Sequence, residues 1–260
     1  MSTPAPPYPP ARHLLEGKNV VITAAAGTGI GFALAKRCAE EGANLVISDI
    51  HERRLGEAAE KLTSILGKRP ATVLCNVAVE ADVQRLIDSS VAALGHIDVL
   101  MNNAGLGGTA NVMDMTDQQW NTVLDVTLNG TFRCMRAALK HMTPRKSGVI
   151  VNNASVLAWR AQAGQAHYAA AKAGVLALTR CAAIEAAPFN VRINAVAPSI
   201  AMHAFLAKVT TPELLEQLSA REAFGRAAEP WEVANVMVFL ASDYSTYMTG
   251  EVISVSSQHP

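Results

Sequence analysis

The chain has 260 residues, half of them apolar and 17% charged, enough to bury one large core as a single domain. Its 22 basic residues balance 22 acidic ones, so the overall charge offers no electrostatic footprint for nucleic acid or an anionic membrane. Cys38, Cys75, Cys134 and Cys181 form no C-x-x-C pair and have no histidine at metal-ligand spacing; they read as reduced thiols in a cytoplasmic protein, and no metal is expected.

In chain order, the start "MSTPAPPYPPARHLLEGK" is Pro-rich and lacks an apolar run, so it reads as neither a signal peptide nor a membrane span. Residues 1–12 are expected to be a flexible tail leaning to polyproline II, with 13–260 as the folded domain. "NVVITAA" is a short β-branched strand, followed by the helical pattern "IGFALAKRCAEEGA" closing at Gly42. "NLVISD" (strand), "ERRLGEAAEKLTSIL" (helix), "ATVLCNV" (strand), "ADVQRLIDSSVAALG" (helix) and "IDVLMNNAG" (strand) follow. Next come "TDQQWNTVLDVTLNGTFRCMRAALKHM" as one helix, "GVIVNNAS" (strand), "YAAAKAGVLALTRCAAIEAA" (helix) and "VRINAVAP" (strand). "PWEVANVMVFLAS" (helix) and "EVISVSS" (strand) end the series. Seven strands taking turns with helices predict an α/β fold: one domain with a Rossmann-like, doubly wound, parallel seven-stranded sheet and helices on both faces.

The first strand-to-helix turn, "TAAAGTGIG", places Gly27, Gly29 and Gly31 where backbone must turn tightly, and Ile30 inside it, ahead of a helix whose free N–H groups favour a pyrophosphate. Asp49 ends the second strand, 18 residues beyond Gly31. A carboxylate there accepts hydrogen bonds from an unmodified ribose and repels a 2′-phosphate, so NAD is favoured over NADP. His51, Arg53 and Arg54 just downstream are the counter-reading. Tyr168 and Lys172, four residues apart, share one helical face. An ammonium near a phenol, assisted by the positive nicotinamide ring of a bound nucleotide, stabilises phenolate and is expected to lower its pKa toward usefulness as a base.

These residues resemble the short-chain dehydrogenase/reductase family. The likeness runs from about Leu15 to the C-terminus and rests on the glycine turn, "NNAG" at 102–105, Ser155 thirteen residues ahead of Tyr168, the Y-x-x-x-K pair, and "GRAAEPWEVANVMVFLASDYSTYMTGEVI". It is nearest to members acting as 3-oxoacyl-carrier-protein reductases, and among them to an actinobacterial branch linked to sterol ring breakdown, where an alicyclic alcohol is carried on coenzyme A. The resemblance implies that Tyr168 exchanges the proton, Ser155 holds the substrate oxygen, and Lys172 also binds the nicotinamide ribose. It further implies cofactor contacts at Asn76, Val77, Asn103, Ala104, Gly105, Pro198, Ser199 and Ile200. A homotetramer and a small-molecule substrate are expected on the same ground.

Several positions depart from the family pattern. The usual catalytic Asn falls at Thr127, whose main-chain carbonyl is expected to hold a relay water; Asn129 should face another way. The glycine turn is one residue longer than usual, with Ala24 where a first glycine is expected. Asn76 replaces an Asp at the adenine, and "APSI" puts Ser199 in place of a glycine. The substrate is expected to meet "VLAWRAQAGQAH" and "IAMHAFLAKVTTPELLEQLSAREAF", with Phe205 and Leu206 in a lid. Trp159 either walls a bulky apolar cavity or packs at a subunit contact; Arg160 either meets a carboxylate or phosphate or points to water.

The main expectation is an NAD(H)-dependent enzyme interconverting a secondary alcohol and a ketone on a bulky alicyclic or acyl substrate, including a CoA thioester from sterol ring degradation. The alternatives are an NADPH-dependent 3-oxoacyl-thioester reductase and a dinucleotide-sensing protein without catalysis.

Overall fold

The computed structural model describes residues 3–202 and 211–258. Seven strands form one sheet: β1 Asn19–Ile22, β2 Asn44–Asp49, β3 Ala71–Leu74, β4 Val99–Asn102, β5 Gly148–Asn153, β6 Val191–Pro198 and β7 Val252–Val255. Their order is β3-β2-β1-β4-β5-β6-β7, and every pairing is parallel. The helices among the described residues are α1 Ile30–Glu40, α2 Glu52–Leu66, α3 Glu80–Leu94, α4 Asp117–Leu124, α5 Gly130–Arg145, α6 Ala166–Ala186, α7 Pro212–Ala220 and α8 Pro230–Ala241.

Strand alternation sorts the core into two layers. Val20 and Ile22 of β1, Leu45 and Ile47 of β2, and Val99 and Met101 of β4 pack with α1, α2 and α8. Val21, Val46 and Leu100, one residue out of phase, pack with α3, α5 and α6. Because both faces are covered, the strands read as unbroken apolar runs rather than alternating ones. α8 starts where "AAEPWE" places a reciprocal capping box between Glu229 and Glu232, with Pro230 in the first turn.

One expected element is divided. The segment read as a single helix from Thr116 to Met142 is α4, then a π-helical turn Asp125–Asn129, then α5. The widened turn buries Thr127 and leaves Asn129 exposed, its amide bonded to Asp125 at 3.2 Å.

The Pro-rich segment makes specific contacts. Arg37 of α1 donates to the carbonyls of Pro9 and Pro10 at 2.8 and 3.2 Å and pairs with the fully buried Glu41 at 2.6 Å. Tyr8 hydrogen-bonds Glu40 and stacks edge-on against Trp231 of α8.

Candidate active site

Parallel strands end together at one edge, and the side on which successive strands are added switches between β1 and β4, opening a crevice there. At β1, the glycine turn departs from regular geometry. Ala24 adopts φ +50° and Gly27 φ +99°. The left-handed backbone at Ala24 costs about 1 kcal/mol for a residue with a Cβ, and hydrogen bonds hold it: Asn103 Nδ2 donates to Ala24 O at 3.0 Å and to Thr23 O at 3.3 Å. Asp49, at the end of β2, braces the same turn by accepting the Ala26 N–H at 3.2 Å; its other oxygen accepts the His51 N–H at 2.9 Å. Burial pushes the Asp49 carboxyl up, while the Ala26 bond and the Arg54 guanidinium, 3.9 Å away, pull it back in part.

The turn fits a dinucleotide. A Cβ on Gly31 would lie 2.0 Å from Ala24 O and 2.5 Å from Asn103 Nδ2, so only glycine lets α1 approach this closely. A Cβ at Gly27 would meet nothing within 4 Å, leaving room for a ligand in front of the turn. The first turn of α1 carries no acidic side chain to oppose an anion at its N-terminus, where Gly29 is the N-cap and Ile30 the first helical residue.

Beyond β3, Asn76 is not free to turn wholly to a ligand: its side-chain oxygen accepts the Ala78 N–H at 3.0 Å, leaving one lone pair. Val77 is buried, pressed against Gly130 of α5, so only its main chain can face the crevice. After β4, the Asn103 and Ala104 amides both donate to Thr23 Oγ1 at 3.0 Å. Gly105 lies under Lys172: an added Cβ would be 3.3 Å from its Nζ.

Ser155 follows β5 and caps the short turn Val156–Ala158, accepting the Leu157 N–H at 3.2 Å. It shares a cleft of about 330 Å³ with Tyr168, and Pro198, Ser199 and Ile200 also line it. Ile200 has its carbonyl taken by the Ala228 N–H at 2.9 Å. The two hydroxyl residues face one cleft, and the Ser155 hydroxyl favours the ionised form of the Tyr168 phenol. Lys172 lies one turn along α6, with Nζ 5.5 Å from the Tyr168 ring centroid, donating to Asn153 O at 2.6 Å.

The expected lowering of the Tyr168 pKa by Lys172 is not what the chain alone produces. Burial pushes the phenol up, and the Ser155 hydrogen bond offsets only part of that. Burial also pushes the Lys172 ammonium down, to about 8. Desolvation disfavours both charged forms.

Thr127 is fully buried beside this group, and its hydroxyl is used twice, accepting the Leu106 N–H at 3.0 Å and donating to Leu106 O at 3.1 Å. Its main-chain oxygen, expected to hold a water, accepts the Thr131 hydroxyl at 2.8 Å. Thr127 therefore fixes the loop over Lys172. Asn153 was not anticipated: its carbonyl anchors Lys172, and its amide donates to Asn103 Oδ1 at 3.0 Å. The signal was "VNNAS", two amides closing a strand otherwise apolar throughout. Trp159 is half exposed, and Arg160 is partly buried and lines the cleft. Phe205 and Leu206 lie outside the described residues.

A family model described as enoyl-(acyl carrier protein) reductase matches residues 24–257. A short chain dehydrogenase from Mycobacterium smegmatis, known from its crystal structure, is 56% identical, covers 99% of both chains and superposes with a TM-score of 0.88. This chain belongs to the short-chain dehydrogenase/reductase family.

As a short-chain dehydrogenase/reductase it is an oxidoreductase, in a family whose members use NAD(H) or NADP(H). It is 64% identical over 248 residues, 95% of each chain, to the Mycobacterium tuberculosis protein named (5R,7aS)-5-hydroxy-7a-methyl-1-oxo-2,3,5,6,7,7a-hexahydro-1H-indene-carboxyl-CoA reductase. It is 38% identical over 242 residues to the 3-oxoacyl-[acyl-carrier-protein] reductase of Thermotoga maritima, covering 93% of this chain and 97% of the other. No helix among the described residues is long and apolar enough to cross a membrane.

Proposed function

We propose that this short-chain dehydrogenase/reductase interconverts a secondary alcohol and a ketone on an alicyclic ring carried as a coenzyme A thioester, using NAD(H). The observation that carries the reading is the cleft in which Ser155 and Tyr168 stand together, in a chain 64% identical to a reductase whose name specifies a bicyclic carboxyl-CoA. When bound, the nucleotide supplies or takes the hydride at its pyridine ring. Gly27, Gly29, Ile30 and Gly31 hold its diphosphate at the start of α1, Asp49 its adenosine ribose, and Asn76 and Val77 its adenine. Asn103, Ala104 and Gly105 line its path, and Pro198, Ser199 and Ile200 meet its carboxamide end.

Tyr168 moves the proton. In reduction its phenol donates to the carbonyl oxygen; in oxidation its phenolate accepts the alcohol proton. Ser155 donates a hydrogen bond to the same oxygen and holds it in place. Lys172, besides binding the nucleotide ribose, keeps a positive charge behind the phenolate, and Thr127 positions the loop that closes over it. Two hydroxyls aimed at one oxygen suit a carbonyl or alcohol better than the carbon–carbon double bond that the family description names.

The buried Asp49 carboxylate supports NAD over NADP, because a 2′-phosphate there meets like charge. Residues 13–260 act as one catalytic domain, with 1–12 as an appendage, in a cytoplasmic homotetramer. The second reading, an NADPH-dependent 3-oxoacyl-thioester reductase, is favoured by the likeness to the Thermotoga maritima enzyme. The test is NAD(P)H absorbance with a hydroxy-bicyclic carboxyl-CoA and its ketone, and with a 3-oxoacyl thioester, each with both nucleotides. We expect turnover of the bicyclic pair with NAD(H). Turnover confined to the acyl thioester with NADPH would establish the second reading instead.

A further inference from the structure

The two amides that end β5 are used differently. Asn152 is fully buried and satisfied at both side-chain atoms, accepting from Asn102 Nδ2 and donating to Thr179 Oγ1, each at 2.9 Å. Asn153, which lines the cleft, is used on its donor side alone: Nδ2 donates to Asn103 Oδ1 at 3.0 Å, while its own Oδ1 is buried with no partner among the described residues. An orphaned buried acceptor lowers stability, and a leucine of similar shape would not carry that penalty. The position therefore holds an amide for what its N–H does.

That N–H closes a chain of hydrogen bonds between two parts of the site. Asn103 Nδ2 is committed to the carbonyls of Thr23 and Ala24, at 3.3 and 3.0 Å, so its Oδ1 faces Asn153 and both amide orientations are fixed. On the other side, the Asn153 carbonyl accepts from Lys172 Nζ at 2.6 Å. Every bond runs the same way: Lys172 donates to Asn153, Asn153 to Asn103, and Asn103 to the left-handed Ala24 of the glycine turn. Hydrogen bonds aligned in series polarise and reinforce one another. We propose, on the reading of the glycine turn as the dinucleotide site, that Asn153 is a positioning residue acting through Asn103 and Lys172, and that it makes the diphosphate turn and the cation behind Tyr168 one rigid unit. The turn that grips one half of the nucleotide then sets where Lys172 meets the other half.

The test is equilibrium binding, by calorimetry, of ADP, which offers adenosine and diphosphate, and of NADH, which adds the nicotinamide ribose, to wild type and Asn153→Leu. The variant should bind ADP about fivefold more weakly, the scale of one neutral hydrogen bond, and NADH about tenfold more weakly, because Lys172 is displaced as well. Its Tm should stay within about 3 °C of wild type, since the leucine removes one orphan acceptor at Asn153 and leaves another at Asn103. In a Lys172→Met background the same substitution should weaken ADP and NADH equally, the excess on NADH having gone with the ammonium. Should Asn153→Leu fail to fold, Asn153→Ala carries the same comparison, and should wild type bind NADPH in place of NADH, the comparison runs with NADPH. Affinities within about twofold of wild type, an equal loss on both ligands while Lys172 is present, or an excess loss on NADH that persists without Lys172 overturns the proposal. Wild type that binds neither reduced nucleotide removes the dinucleotide reading and this inference with it. Wild type that binds NADH, with Asn153→Leu binding it equally well, removes the inference alone.

Discussion

Tyr168 and Lys172 share a helix face and a buried environment that acts on them in opposite directions, holding the phenol protonated and easing the proton off the ammonium. The free chain therefore keeps both groups closer to neutrality than their spacing alone implies. For Lys172 the sign is definite. Between about pH 8 and the ordinary lysine value of 10.5, the unfolded lysine is protonated while the folded one is not, so the unfolded state binds more protons and stability rises with pH. Comparing urea unfolding of wild type and Lys172→Met should show the variant more stable at pH 7. The gap should close by roughly 3 kcal/mol at most as pH rises toward 10.5; a gap independent of pH would contradict the buried ammonium. The Y-x-x-x-K spacing was legible because helical period needs no tertiary information. The direction of the Tyr168 shift was not, because desolvation depends on what the fold packs around the ring. Asn153 escaped for the same reason: its main-chain carbonyl, not its side chain, meets Lys172.

At the scale of elements, the glycine turn was legible in position and not in shape. Nothing in "TAAAGTGIG" announces that Ala24 takes a left-handed conformation, since that depends on Asn103 reaching across from the end of β4 to hold its carbonyl. The close approach of α1 at Gly31 makes a sharp prediction. Gly31→Ala drives a Cβ into Ala24 O, and relieving that contact should cost about 1–3 kcal/mol. We expect a lower Tm and an NAD affinity weakened at least about tenfold, by calorimetry; unchanged binding would mean that the turn does not hold the nucleotide. The π-helical turn at Asp125–Asn129 was invisible for a related reason. The apolar spacing across it continues as an ordinary helix, and the added residue is accommodated by Thr127 bonding to Leu106 and Thr131 bonding back to Thr127.

Across the whole molecule, the alternation of strands and helices carried the seven-stranded parallel sheet, because each strand covered on both faces must be apolar throughout. What no single-chain pattern specifies is the surface left over. Trp120, Phe132 and Ile184, on α4, α5 and α6, are exposed, Ile184 at 78%, apolar surface of the kind that the proposed tetramer would cover. Light scattering at micromolar concentration should give the mass of four 27.5 kDa chains; a single-chain mass would contradict it. The proposed mechanism requires the fold to bring one phenol and one serine hydroxyl to a single substrate oxygen, and the direct measurement is single-turnover hydride transfer from NADH to the bicyclic ketone thioester in wild type and Tyr168→Phe, with the NADH Kd taken in parallel. The rate should fall by about 10²–10⁴ while the Kd stays within about twofold. A Phe variant that binds NADH normally and keeps its rate within about tenfold of wild type would contradict the role assigned to Tyr168.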